Sequence, residues 1–155
     1  GVYSRKQREL KVDSIFSLAK ELNKKFIYIE GDIGILKTEI EPELNMDSNG
    51  DGFTDDEVFI STLDAIDKDY NLIFAHFHGI DDSGHSFGDL SSETMEFIAI
   101  IDGYVEELAT NWDGKVIITS DHGMHTTEDG GDHGQFRYTD MIVPYITFTG
   151  GNLFE

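Results

Sequence analysis

Cysteine is absent, so neither a disulfide nor a thiolate zinc site can form, and the redox compartment leaves no trace in the chain. Basic residues are scarce: 11 Lys and Arg stand against 31 Asp and Glu, a formal charge of −20 over 155 residues. Nucleic-acid phosphates and anionic membrane surfaces both require clustered Lys and Arg, so this balance argues against either partner. It does not argue against small phosphorylated substrates, provided bound cations supply positive charge. No apolar run approaches the length of a membrane span, and residues 1–10 are polar and basic without an apolar signal core. The first residue is Gly1 rather than Met, so the chain reads as a segment of something longer and its address is not legible. What remains is a composition close to the globular norm, long enough for one domain with a sizeable core.

Along the chain, helical and strand patterns alternate. Val12, Ile15, Phe16, Leu18, Ala19 and Leu22 have helical spacing, which predicts a helix over 12–23. Seven of the eleven basic residues fall in the first twenty-five positions, as on a solvated helix face. Phe26–Ile29 reads as a strand with Glu30-Gly31-Asp32 as its turn. Thr54-x-x-Glu57 is a capping box that opens a helix over 55–68, with Val58, Phe59, Leu63 and Ile66 facing inward. Leu72–Phe77 is the next strand, and residues 78–90 form the loop leaving it. Ser91 or Ser92 starts a long helix to about Thr110, striped by Met95, Ile98, Ile101, Val105 and Leu108. Lys115–Thr119 reads as a buried parallel strand, residues 125–137 as a glycine-rich loop, and Val143–Phe148 as a last strand with Pro144 at its start or edge. The expected class is α/β, a mostly parallel sheet flanked by helices and incomplete as it stands.

Two stretches suggest cations. Asp47-Ser48-Asn49-Gly50-Asp51-Gly52 resembles a calcium loop, with oxygen groups at positions one, three and five and glycine at six. Asp47, Asn49 and Asp51 are its candidate ligands. Position twelve is Val58 instead of the expected Glu, and Asn-Gly and Asp-Gly are strong turn formers in their own right. The second stretch is a constellation. All six histidines lie between His76 and His133, and three motifs join imidazole to carboxylate or glycine: Asp81-x-x-Gly84-His85, Asp121-His122-Gly123 and Gly131-x-His133-Gly134. Asp121 and His122 follow a strand, the end at which open α/β sheets bind ligands. Mixed imidazole and carboxylate suits zinc, manganese or iron better than calcium or magnesium. Five candidates, Asp81, His85, Asp121, His122 and His133, exceed the needs of one tetrahedral ion and fall short of two.

Taken together, Asp-x-x-Gly-His-x-x-Gly, Ser-Asp-His-Gly-Met and Gly-x-His-Gly resemble the alkaline phosphatase superfamily, in its type I phosphodiesterase/nucleotide pyrophosphatase branch. The likeness runs from about Val12 to Gly150 and implies the middle and later part of that alkaline-phosphatase-like catalytic domain. It implies that Asp81, His85 and His133 hold one zinc while Asp121 and His122 hold a second. It also implies a Thr or Ser nucleophile, with a further Asp, upstream of this segment, so no catalytic nucleophile is assigned here and the isolated segment is expected to be inactive. The activity implied is two-metal phosphoric-ester hydrolysis through a phospho-enzyme; an extracytoplasmic setting is compatible with the resemblance.

Other readings stand beside these. His78 and His125 flank the motifs as supporting donors or substrate contacts, and Arg137 is a candidate phosphate contact; neutral loop histidines and a surface ion pair explain them equally well. His76, inside a strand, reads as a packed residue, and Asp82 and Asp132 as solvated neighbours. A phosphomonoesterase, sulfatase or phosphoglycerate mutase could use the same metals. A non-catalytic metal-binding domain is the alternative from another class. Oligomeric state and substrate identity are not legible.

Overall fold

A computed structural model describes residues 12–151. They fall into two units, with the division between His76 and Phe77. Among the described residues no helix is long and apolar enough to cross a membrane.

The first unit begins at Ser14, whose hydroxyl accepts from Phe16 N at 3.0 Å and Ser17 N at 3.1 Å while Ser17 Oγ accepts from Ser14 N at 2.9 Å. This reciprocal cap starts α1, Ile15–Glu21, later than the apolar spacing alone predicts. Only Phe16 and Ala19 of the expected stripe are buried. Of the early basic residues, Arg5, Lys6, Arg8 and Lys11 lie outside the described residues, and Lys20, Lys24 and Lys25 are exposed. The Phe16 ring packs on Phe26, Tyr28 and Phe74 at centroid distances of 5.8, 5.7 and 5.6 Å. Those rings belong to the parallel strands β1, Phe26–Glu30, and β3, Leu72–Ala75, which pair from Phe26↔Leu72 to Ile29↔Ala75. The short β2, Glu43–Leu44, adds to the other edge of β1, giving the order β2-β1-β3.

Between β2 and β3 comes α2, Asp55–Ile66, which packs against β1 and β3. Its buried face is Asp55, Val58, Thr62 and Ala65. The capping box expected at its start does not form: Thr54 makes no cap hydrogen bond, and Glu57 turns back to accept from Ser48 N at 2.8 Å and Ser48 Oγ at 2.6 Å. Three acids in the first turn complement the helix dipole instead.

At the end of β1, Glu30 is wholly buried rather than in a turn. His76 Nδ1 lies 2.6 Å from its Oε1, and the Tyr28 hydroxyl donates to its Oε2. Burial opposes the charge, but the His76 and Tyr28 hydrogen bonds outweigh it and hold the carboxyl below its ordinary range. Burial, and then the adjoining Glu30, push the Tyr28 hydroxyl upward.

The second unit contains α3, Gly79–Phe87; α4, Ser92–Asn111; β4, Lys115–Thr119; the hairpin β5, His125–Thr127, and β6, Gly130–Asp132; the single turn α5, Tyr138–Met141; and β7, Tyr145–Thr149. Ser91 is the residue that caps α4, accepting from Thr94 N at 3.1 Å. Its buried line is Thr94, Ile101 and Ala109, so Met95, at the start of the expected stripe, is exposed.

Two expectations are corrected here. Residues 79–87 are helical, not a loop: α3 runs until Gly88, whose φ of 100° ends it. Lys115–Thr119 is not a buried parallel strand: β4 pairs antiparallel with β7, Thr119↔Tyr145 to Lys115↔Thr149, and its residues alternate between exposed and half-buried. The connection explains the direction. A parallel neighbour needs a crossover that carries the chain back along the sheet, and the 25 residues between β4 and β7 provide only a short hairpin and one helical turn. The chain therefore re-enters beside the end it left, with Thr119 Oγ1 donating to Pro144 O at 2.9 Å. Among the described residues, parallel pairing is confined to the first unit.

Candidate metal centre

On a helix, residues four apart share a face, so α3 presents Asp81 and His85 together: His85 Nε2 is 3.5 Å from Asp81 Oδ2. The turn after β4 brings His122 Nε2 to 3.7 Å from Asp81 Oδ1, and the turn after β6 brings His133 Nε2 to 3.7 Å from the same atom. Asp121 Oδ2 is also 3.7 Å from His122 Nε2, so that imidazole stands between two carboxylates. The His122 and His133 rings stack at 3.6 Å, and His85 lies 4.9 Å from His133. Donor atoms of Asp81, His122 and His133 all come within 4.8 Å of one another. The five residues expected from the motifs are thus brought together, with His122 beside Asp81 and His133 rather than apart from them.

Two features fit this donor set to a cation. Asp81 Oδ1 is buried and has no hydrogen-bond partner, an expensive condition for a carboxylate oxygen. Imidazole nitrogens surround it, but at 3.7 Å they are too distant for hydrogen bonds. Two bonds of about 2.0–2.1 Å at a tetrahedral angle separate their donor atoms by roughly 3.3 Å, close to the spacing observed. The second feature is ring orientation. His85 Nδ1 lies 2.8 Å from Gly131 O and His122 Nδ1 lies 3.0 Å from Gly123 O. A carbonyl only accepts, so both Nδ1 atoms carry the proton and both Nε2 lone pairs face the cluster.

Glycines explain how α3 and the hairpin come this close. A Cβ on Gly130 would lie 2.0 Å from His85 O, and one on Gly131 would lie 2.5 Å from both Gly84 O and Met124 Sδ. The hairpin thus seats directly on the last backbone turn of α3, and the Met124 sulfur fills the space between Gly84 and Gly131.

The flanking residues divide. His78, at the start of α3, has Nε2 3.5 Å from Asp81 Oδ2 and Nδ1 3.1 Å from Asp82 Oδ2, so Asp82 is bound to a neighbour rather than merely solvated. His125 is not in the cluster: it is buried, its Nδ1 2.8 Å from Asp140 Oδ1. Burial would raise the Asp140 carboxyl, but the Gln135 N–H and His125 outweigh it and hold it low. Arg137 is exposed at the N-cap of α5. Asp132 Oδ1 accepts from His133 N at 2.8 Å and fixes the peptide there. His76 is packed as expected, in the first unit.

In the 47–57 loop, Asp47 accepts from Gly50 N at 2.6 Å and Gly52 N at 3.0 Å, Asn49 from Asp51 N at 2.8 Å, and Asp51 from Phe53 N at 2.9 Å. Asn49 Nδ2 donates to Asp51 and Asp56 at 3.1 and 2.9 Å. These bonds make a turn network; among the described residues, both groups of three His or carboxylate atoms within 4.8 Å lie in the second unit.

Sequence reasoning missed Asp140 and the supporting roles of Gly130 and Met124. Nothing in a polar stretch marks one Asp as buried, and the glycines and polar residues of the hairpin that presses onto α3 carry the pattern of a loop.

The chain is 31% identical over 99 residues to GPI ethanolamine phosphate transferase 1 of Mus musculus, covering 59% of this chain and 10% of that protein. For the Neurospora crassa and Schizosaccharomyces pombe proteins of that name, identity is 33% over 95 residues and 34% over 100, in each case 57% of this chain and 9% and 10% of theirs. The chain therefore spans about a tenth of the length of these relatives. Residues 6–145 match the family model described as type I phosphodiesterase / nucleotide pyrophosphatase, and the chain belongs to that family.

Proposed function

We propose that residues 1–155 are the middle and later part of an alkaline-phosphatase-like catalytic domain that cleaves or transfers phosphoric esters with two bound zinc ions. The observation that carries a cation at this site is the buried, unpartnered Oδ1 of Asp81 facing the Nε2 atoms of His122 and His133, and the division of the ligands between two ions follows the family resemblance. Asp81, His85 and His133 would hold one ion, and Asp121 and His122 the other; manganese or iron would suit the same atoms. When bound, such a pair lowers the pKa of an attacking hydroxyl and neutralises charge developing on the phosphoryl oxygens. This chain's residues do the preparatory work. Gly131 O and Gly123 O fix the tautomers of His85 and His122 so that each Nε2 lone pair is available. The packing of the hairpin on α3 sets where those lone pairs meet.

In this reading the nucleophile is a Thr or Ser supplied by sequence upstream of residue 1, as the family resemblance implies, and water completes the cycle as in a phosphodiesterase or pyrophosphatase. A second reading is favoured by the names of the relatives: an alcohol acceptor replaces water, and the protein transfers a phosphoethanolamine-like group. A calcium ion at Asp47, Asn49 and Asp51 belongs to the same proposal as a structural ion only. The substrate is a small phosphorylated molecule.

Metal analysis of the 155-residue chain after dialysis against zinc is the first test. At least one equivalent is expected, reduced in Asp81→Asn; retention of a full complement by that variant would remove the basis of the site. In a longer protein containing this segment, turnover of bis(p-nitrophenyl) phosphate should depend on zinc and on Asp81. Partition of product between water and an added amino alcohol separates hydrolase from transferase.

A further inference from the structure

Asp140 belongs to none of the ligand motifs, yet it touches two of the segments that deliver them. Its backbone carbonyl accepts from Gly123 N at 2.9 Å, the peptide next to His122. Its Oδ2 accepts from Gln135 N at 2.9 Å, two residues beyond His133. Its Oδ1 meets His125 Nδ1 at 2.8 Å, and Thr139 Oγ1 donates to the same oxygen at 3.3 Å. Asp140 is 2% exposed and His125 6% exposed. A Cβ on Gly123 would lie 1.9 Å from Thr139 O, so the turn of α5 bears directly on the backbone that follows His122.

A buried carboxylate is costly unless its oxygens are satisfied, and here the bonds that satisfy it come from His125, between the two ligand turns, and from Gln135 and Thr139, beyond the second. Apolar packing could cover the same ground, but it would not fix two peptide groups relative to each other. From this geometry we propose that Asp140, held in place by His125, is a positioning residue that sets the separation of His122 and His133 and thereby the affinity of the cluster for a divalent cation. The inference rests on the metal reading above.

The test uses the whole 155-residue chain and Zn2+ alone, titrated in competition with a chromophoric chelator, with apo thermal unfolding recorded in parallel. In Asp140→Asn one side-chain oxygen becomes a donor, so the Gln135 and His125 ties persist together only if His125 moves its proton from Nδ1 to Nε2, and the carboxylate charge is lost in either case. Its zinc affinity should fall about tenfold, the lower end of the effect of removing a partner that orients metal ligands. His125→Leu should fall likewise, and His125→Gln, which keeps a donor for Asp140, should recover to within about threefold of wild type. A second readout is the pair of His122 and His133 ring proton resonances in the zinc-free protein, which should shift in the weakened variants. Loss of apo stability alone, with zinc affinity and ring resonances of the folded variant as in wild type, overturns the proposal. Should Asp140→Asn not fold, the His125 pair decides by the same criterion. Failure of wild type to take up zinc overturns the metal reading and this proposal with it, whereas uptake by wild type with undiminished affinity in the variants overturns this proposal alone.

Discussion

Replacing Gly131 with alanine adds one methyl group at the point where the hairpin rests on α3. The new carbon would lie 2.5 Å from Gly84 O and 2.5 Å from Met124 Sδ, and 3.1 Å from Gly84 C. Ordinary contact begins near 3.4 Å, so relief requires a movement of about 0.9 Å, the difference between the two distances. The sulfur can swing aside, because Met is flexible. The Gly84 carbonyl cannot, because it already accepts Gly88 N at 2.8 Å in the helix end. The hairpin must therefore lift away from α3, carrying His133 from Asp81. Overpacking of this kind costs about 1–3 kcal/mol, and a misplacement near 1 Å costs about 10²-fold where reacting groups depend on it. Gly103→Ala is the control: it lies inside α4 with nothing within 4 Å of a built Cβ, and should stabilise by about 0.5–1 kcal/mol. Urea unfolding of both variants, with zinc titration of the folded proteins, gives the two numbers. A Gly131→Ala protein within about 0.5 kcal/mol of wild type that binds zinc as tightly would refute the claim that backbone contact sets the site.

Two further outcomes follow from the local structure. Ser91→Ala should cost about 1 kcal/mol through loss of the α4 cap, whereas Thr54→Ala should stay within about 0.5 kcal/mol because Thr54 caps nothing; equal losses in urea unfolding would show the cap assignment to be wrong. Glu30 has a folded-state pKa below its ordinary 4.5, so its contribution to stability is complete above that pH and disappears as pH falls through the lower folded value. Glu30→Gln should flatten this acid limb while leaving the part due to Asp140, which is lowered in the same sense; an unchanged slope between about pH 5 and pH 3 in urea titrations would count against the buried network.

The local chemistry of the chain is legible in its sequence. Phe26–Ile29 and Leu72–Ala75 are strands because β-branched and aromatic residues crowd there, and Asp55 opens a helix where acids gather after a turn. Asp81, His85, Asp121, His122 and His133 could be named together because each motif joins a ligand group to glycine, and the structure brings those five side chains to one place. Periodicity carries no information about partners, however. The Val-Ile-Ile run of β4 has the same composition whether its neighbour is parallel or antiparallel, and connection geometry decided that it is antiparallel. Gly79 and Gly84 argue against a helix locally, at about 1 kcal/mol each, yet α3 forms because packing against α4 and β6 outweighs that propensity. Residue type and spacing therefore determined which groups are candidates to hold a cation. Tertiary structure alone decided which oxygen is left unpaired, which nitrogens face it, and that a buried Asp140 joins the segments behind them, because each of these depends on contacts between residues distant in sequence.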